Sequence, residues 1–353
     1  CFIWGVTSWL IGISPTFATF SMSYMVSSID NASCPGVFSM VGDFFTPKHR
    51  GKIYGLLHAA QPLAYLGGAL LANVLSNQIN WRSVLLCSGV VAFLVAILFI
   101  FGIKEPRRGE SEPAMQGIEV SGIYVLDGGG VKGLFKQWGL IFLFFVGLFA
   151  IMPWTVITSW MFFYMQSVHN LSTDEIYRIL FPALTALTLG YPLGGLLGDM
   201  MFKYSKKGRV IASMSGISLS IVFLVSSFQL TNVSGIGFTL LMTLTGLFMA
   251  LERPNIIAMV FDITLPELRS TAMAIMMVFQ LIGSVLGPAI VRRLIPMLGL
   301  SPAILWSCVG AWGISLLFLI GVNWFIPGEI EALRRQMAYR SHLEGRLQSQ
   351  DTD

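Results

Sequence analysis

Asp262-Ile263-Thr264-Leu265-Pro266-Glu267-Leu268-Arg269 is a polar island between two apolar runs, and it has a counterpart in Asp43-Phe44-Phe45-Thr46-Pro47-Lys48-His49-Arg50. Both read D-x-x-x-P-x-x-R, at a constant offset of 219. The match extends outward without a gap. Pro35, Met40, Val41, Asp43, Pro47, Arg50, Gln61 and Gly68 align with Pro254, Met259, Val260, Asp262, Pro266, Arg269, Gln280 and Gly287. Eight identities over 34 positions is a modest number, but Asp, Pro, Arg and Gln are uncommon in apolar sequence. Each copy reads as a helix, a tight turn and a second helix. Parallel repeats of this kind build transporter halves.

The rest of the chain fits that reading. Its 353 residues are 55% hydrophobic and 11% charged, against about 25% charged in a soluble domain. So few charges cannot cover so much apolar surface in water, which excludes a soluble enzyme, a nucleic-acid binder and a disordered regulator. An all-α polytopic membrane protein remains. Cys1, Cys34, Cys87 and Cys308 lie in apolar stretches without metal-type spacing and read as small buried hydrophobes.

Runs free of Asp, Glu, Lys and Arg cover 1–29, 53–81, 83–103, 137–173, 179–198, 210–251, 270–291 and 294–328. A span needs about 20 residues, so the longest runs hold two helices or a helix and a loop. Ser14-Pro15-Thr16 and Thr231-Asn232-Val233-Ser234-Gly235 are the natural breaks. About ten helices result, near 1–14, 17–44, 52–78, 83–103, 137–165, 176–201, 209–229, 236–263, 270–295 and 302–326. The first is too short to span, and the chain begins with Cys, so sequence upstream is expected. Alternate loops collect 17 Lys and Arg on one side and 4 on the other. By the positive-inside rule the richer side, with the C-terminus, is cytoplasmic. The expected organisation is an incomplete N-terminal half of four helices (1–103), a cytoplasmic linker (104–136), a C-terminal half of six helices (137–326) and a cytoplasmic tail (327–353). Within the tail, Ile330, Leu333 and Met337 share one helical face.

Over its whole length the sequence resembles the major facilitator superfamily. The resemblance implies twelve helices in two six-helix halves, of which this chain carries the third to the twelfth. Glu105-Pro106-Arg107-Arg108-Gly109, Asp262 with Leu265-Pro266-Glu267-Leu268-Arg269-Ser270-Thr271-Ala272, and Asp30-Asn31-Ala32-Ser33 resemble signatures of its Spinster-like branch. That branch has an arginine seven residues before the fourth-helix acid, where this chain has Ser23. Gly195-Leu196-Leu197-Gly198-Asp199 with Gly208-Arg209 is similar to the superfamily's loop motif G-x-x-x-D…G-[RK]. By resemblance, Asp199 would latch the start of helix 270–295 near Arg269 when the cytoplasmic side is closed. Asp43, Arg50, Asp199, Arg209, Asp262 and Arg269 are accordingly read as a cytoplasmic gate.

Charges inside a span are costly, by about 2.5–3.5 kcal/mol on insertion scales. Asp30, Glu252 and Arg253 are three such charges, near mid-membrane by helical rise. Their repeat mates are Met249, Ser33 and Cys34, so they do not belong to the symmetric framework. An internal ion pair that holds helices together is one reading. A substrate or proton cavity is the other: Arg253 would anchor an anion, and Asp30 and Glu252 would carry protons, because desolvation favours the neutral carboxyl. Gln61 and Gln280 are expected to face inward with His58, and Trp154, Trp160, Phe163 and Tyr164 read as core or lipid-interface packing, with a place in a cavity wall as the alternative for some of them. No H-E-x-x-H, C-x-x-C or G-x-S-x-G occurs, so no catalytic residue, metal or cofactor is expected. Asn170-Leu171-Ser172 and Asn232-Val233-Ser234 fit a glycosylation sequon on outer loops.

The expected function is secondary active transport of a small or amphiphilic organic solute across the bilayer by alternating access, coupled to protons or another ion. The Spinster-like resemblance suggests a lysolipid-type anion. A sugar phosphate or other organic anion is the alternative, and a non-transporting membrane sensor is a rival of another class. A monomer in the cell membrane is expected, without nucleic-acid partners, and the chain alone is not expected to transport.

Overall fold

The computed structural model describes residues 2–75, 80–102, 111 and 128–351. Every regular element among them is helical. In order they are α1 (Phe2–Gly12), α2 (Phe17–Ser27), a 3-10 stretch (Ser28–Ser33), α3 (Cys34–Phe44), α4 (Arg50–Leu75), α5 (Trp81–Gly102), α6 (Gly128–Leu134), α7 (Trp138–His169), α8 (Thr173–Tyr204), α9 (Gly208–Phe228), α10 (Ile236–Met249), α11 (Glu252–Asp262), a 3-10 turn (Pro266–Leu268), α12 (Arg269–Leu298) and α13 (Leu300–Asp351).

Among the described residues, seven segments are long and apolar enough to cross a membrane: α5, α7, α8, α9, Ile236–Asp262, Pro266–Leu298 and Leu300–His342. Three of the ten expected spans are not in that set. Eleven residues make α1 too short. The stretch 17–44 is divided into α2, the 3-10 stretch and α3. His58 and Gln61 dilute the apolar character of α4.

The divided helix has a symmetric twin. Shifted by 219, the 3-10 stretch Ser28–Ser33 falls on the junction of α10 and α11, where Ala250 and Leu251 interrupt the helix. The single helices expected at 17–44 and 236–263 are therefore both broken at one repeat position. Proline explains it. Pro35 and Pro254 are repeat mates in the first turns of α3 and α11. A proline there has no N–H to give to the preceding turn, and its ring crowds the carbonyl four residues back. Ordinary caps close the α7–α8 turn. Asn170 (φ 53°) terminates α7, and Ser172 with Glu175 forms a reciprocal capping box on α8, so local helix capping accounts for the sequon Asn170-Leu171-Ser172.

In the second part of the chain, α7 packs on α12 and α13, and α8 on α9 and α10. The first part meets it where α4 runs along α8 and α3 touches α12. Glycine sets the α4–α8 spacing: a methyl group on Gly195 would strike the backbone of Gly51, and one on Gly55 the backbone of Tyr191. Most of the expected linker 104–136 lies outside the described residues, and α6 occupies part of the remainder. Beyond Pro327, α13 continues as one helix, with Ile330, Leu333 and Met337 buried.

Candidate functional site

Asp43 and Asp262 end α3 and α11, where the helix dipole disfavours an anion and calls for a cation. Arg50 and Arg269 begin the next long helices. The arginines cross over. Arg269 Nη1 lies 3.2 Å from Asp43 Oδ1, and Arg50 Nη1 lies 3.6 Å from Asp262 Oδ1. Each arginine also folds back on its own copy. Arg50 Nη2 donates to the Gly42 carbonyl at 2.9 Å and Arg269 Nη2 to the Phe261 carbonyl at 3.5 Å, and Gly42 and Phe261 are themselves repeat mates. Ser111 adds a further donor to the Gly42 carbonyl at 2.7 Å.

Arg209 joins the two sides. Its Nη1 pairs with Asp262 Oδ2, and its Nη2 reaches Asp199 Oδ1 at 2.7 Å and the Pro47 carbonyl at 2.5 Å. The Phe202 ring lies under the guanidinium at 4.1 Å. Asp199 in turn accepts the backbone N–H groups of Gly51 at 3.0 Å and Lys52 at 2.8 Å. It caps the N-terminus of α4, where anions are favoured. The expected latch near Arg269 is thus corrected: Asp199 holds the start of α4, because α8 runs along α4. All six residues are more than nine-tenths buried, and their three cations balance three anions.

A second polar group lies at the α10–α11 break. Ile151, Trp154, Tyr191, Glu252, Arg253 and Gln280, with four small or apolar residues, line a cavity of about 30 Å³. Glu252 is 5% exposed and has no hydrogen-bond or ion-pair partner among the described residues. Arg253 Nε is buried and unpartnered too, while its guanidinium faces the Tyr191 hydroxyl. The His58 ring sits 5.7 Å from Tyr191 and 5.3 Å from Phe38, with Nε2 buried and unpartnered. Trp154 and Met249 are shared with a larger apolar cavity of about 300 Å³, walled by Phe162, Phe181, Leu187 and Met242 among others.

Of the six cavity residues expected from sequence, Glu252, Arg253 and Gln280 come together, and His58 joins them through Tyr191. Gln61 is exposed on α4 and Asp30 is half-buried in the 3-10 stretch. Neither lines this cavity. Tyr191 has no place in the sequence reading, and Trp154 takes its lesser alternative, a cavity wall in place of packing. The available signal for Tyr191 was Gly190-Tyr191-Pro192, a hydroxyl-bearing aromatic between two helix-weakening residues in an apolar run.

The sequence profile of the Major Facilitator Superfamily matches residues 1–288. The chain belongs to that superfamily. Its members are transporters rather than enzymes, in keeping with a multi-pass helical membrane protein. Among curated superfamily relatives, the "probable galactarate/D-glucarate transporter GudP" of Bacillus subtilis is 22% identical over 233 residues, covering 59% of this chain and 50% of GudP. The chain thus spans about half the length of such a relative. Among solved superfamily structures, the human organic anion transporter MFSD10 (TETRAN) superposes with a TM-score of 0.65 at 16% identity, covering 90% of this chain and 75% of MFSD10. A bacterial homologue of the human lysosomal transporter Spinster aligns at 18% identity over 96% of this chain and 82% of its own, with a TM-score of 0.49. At these identities the overlay with MFSD10 bears on the superfamily fold alone.

Proposed function

We propose that this chain belongs to a secondary active transporter for an organic anion with an apolar body. The observation that carries the proposal is the cavity at the α10–α11 break: an arginine and an unpartnered carboxyl face it, and it adjoins an apolar space of about 300 Å³ through Trp154 and Met249. Arg253 holds the anionic group. Glu252, 5% exposed and without a hydrogen-bond or ion-pair partner among the described residues, carries the coupling proton. The apolar space takes the remainder of the solute. The likeness to GudP, a probable galactarate/D-glucarate transporter, supports an organic anion as the substrate class. The six-residue cluster is the gate. Its crossed ion pairs would hold that end closed, and the cavity would alternate by rocking of the two halves. The basic end with the C-terminus is cytoplasmic, by the distribution of Lys and Arg.

The test is uptake of a radiolabelled aryl or alkyl carboxylate into sealed vesicles by the full-length protein. Saturable uptake that disappears in Arg253→Ala supports the reading. Equal uptake in wild type and Arg253→Ala removes Arg253 from the site, and binding without saturable flux replaces the transporter with a sensor.

A further inference from the structure

A groove of about 1200 Å³ opens beside the gate. Its walls come from the α3–α4 turn (Thr46–Arg50), the α8–α9 turn (Phe202–Lys206) and α13. Lys48, His49, Lys203, Lys206 and Arg334 line it with Arg50. The lining holds one carboxylate, Asp262, which Arg50 and Arg209 already engage. Glu331 pairs with Lys206 at 2.5 Å and also faces Arg334. Lys48 and Lys203 have no carboxylate partner among the described residues. Among the described residues, the groove therefore carries excess positive charge beyond its internal pairs.

Its other walls are apolar: Phe202, Ile330, Leu333 and Met337. It also lies where the apolar span of α8 ends at Tyr204, a residue 91% exposed, and tyrosine at such a level marks the membrane interface. Basic charge, apolar wall and interfacial depth together describe a pocket for a lipid headgroup. We infer that this groove binds the phosphate headgroup of an anionic phospholipid, with Lys48 and Lys203 as its principal contacts. Bare phosphate would meet the lysines but leave the apolar wall and most of the volume unfilled. An occupant touches both the α3–α4 turn and α13, so it bridges the two sides of the gate and favours its closed arrangement.

The experiment is lipid titration of the full-length protein in neutral detergent, with phosphatidylglycerol or phosphatidylcholine and bound lipid read by native mass spectrometry. Phosphatidylglycerol is expected to bind more tightly than phosphatidylcholine. Each cation removed should weaken it about fivefold, so Lys48→Ala/Lys203→Ala/Arg334→Ala should lose about a hundredfold. Phosphatidylcholine binding should not change, and Lys48→Arg/Lys203→Arg should keep the preference. Lys203 is exposed, so Lys203→Glu alone keeps the question open to test if the triple variant does not fold. Unchanged phosphatidylglycerol affinity in these variants overturns the assignment. Displacement of the lipid by inorganic phosphate at equal concentration overturns it too, by making the ligand a free anion.

Discussion

Glu252 and Arg253 are neighbours in sequence and opposite in charge, yet no hydrogen bond or ion pair joins them among the described residues. Successive residues on a helix point about 100° apart, so each looks for a different partner. Arg253 has the Tyr191 hydroxyl, and Glu252 has none among the described residues. Glu252→Gln therefore removes a buried charge on which no hydrogen bond or ion pair of the described residues depends. Its unfolding temperature in detergent is expected to stay level or rise. Proton-driven accumulation should be lost while exchange of labelled for unlabelled solute persists; a variant that still concentrates solute would strip Glu252 of the coupling role. Arg253→Lys is expected to lose at least tenfold in kcat/KM for uptake, because a lysine cannot reproduce a planar guanidinium's paired donors. These two residues were legible because a charge inside an apolar run has few innocent explanations. Asp30 was legible on the same ground and sits elsewhere, since the criterion finds an intramembrane charge and says nothing of the direction it faces. Tyr191 carries no charge and left no comparable mark.

Helix breaks, not helices, position this site. Repeat mates Pro35 and Pro254 were read as identities, and their consequence for the backbone was missed, because an apolar run of adequate length reads as a continuous span. Once the breaks are seen, the placement of Glu252 and Arg253 in the first turn of α11 follows. Pro254→Ala should heal the junction of α10 and α11. Stability is expected to rise by less than about 3 kcal/mol, the usual cost of an interior proline, while uptake falls because the two charges are re-aimed. A loss of stability in a thermal melt would contradict this. The α4–α8 crossing makes a second expectation at the same scale. Gly195→Leu would force the helices apart at Gly51, so the amides of Gly51 and Lys52, which Asp199 holds, should lose hydrogen-exchange protection. Asp199→Ala should expose the same two amides without moving the helices. Protection that survives both changes would mean that Asp199 is not what closes the start of α4.

Across the whole molecule, the repeat announced which charges matter and left their partners open. Asp43 and Arg50 recur as Asp262 and Arg269, and the dipole argument requires that each Asp find a cation. Pairing inside a copy and pairing between copies satisfy that argument equally well, and no local pattern chooses between them. Packing chooses: α3 lies against α12 and α11 against α4, so each arginine meets the other copy's aspartate. The same packing sent Asp199 to α4, where the loop motif alone had suggested Arg269. Ion pairs that join copies exist only while the two sides are together, which makes them state-dependent. Asp43→Asn or Arg269→Gln alone leaves a buried charge and is expected to cost about 3–5 kcal/mol. The double variant should cost less than the sum, with a coupling of about 0.5–3 kcal/mol in a double-mutant cycle on the thermal or denaturant midpoint. Spin labels on the two sides should report a wider separation at the basic end in either single variant, and a return toward the closed distance when the charges are exchanged as Asp43→Arg/Arg269→Asp. Strict additivity, with unchanged distances, would reduce the crossed pairs to passive framework and leave Arg209, which binds Asp199, Asp262 and Pro47 at once, as the group that shuts the gate.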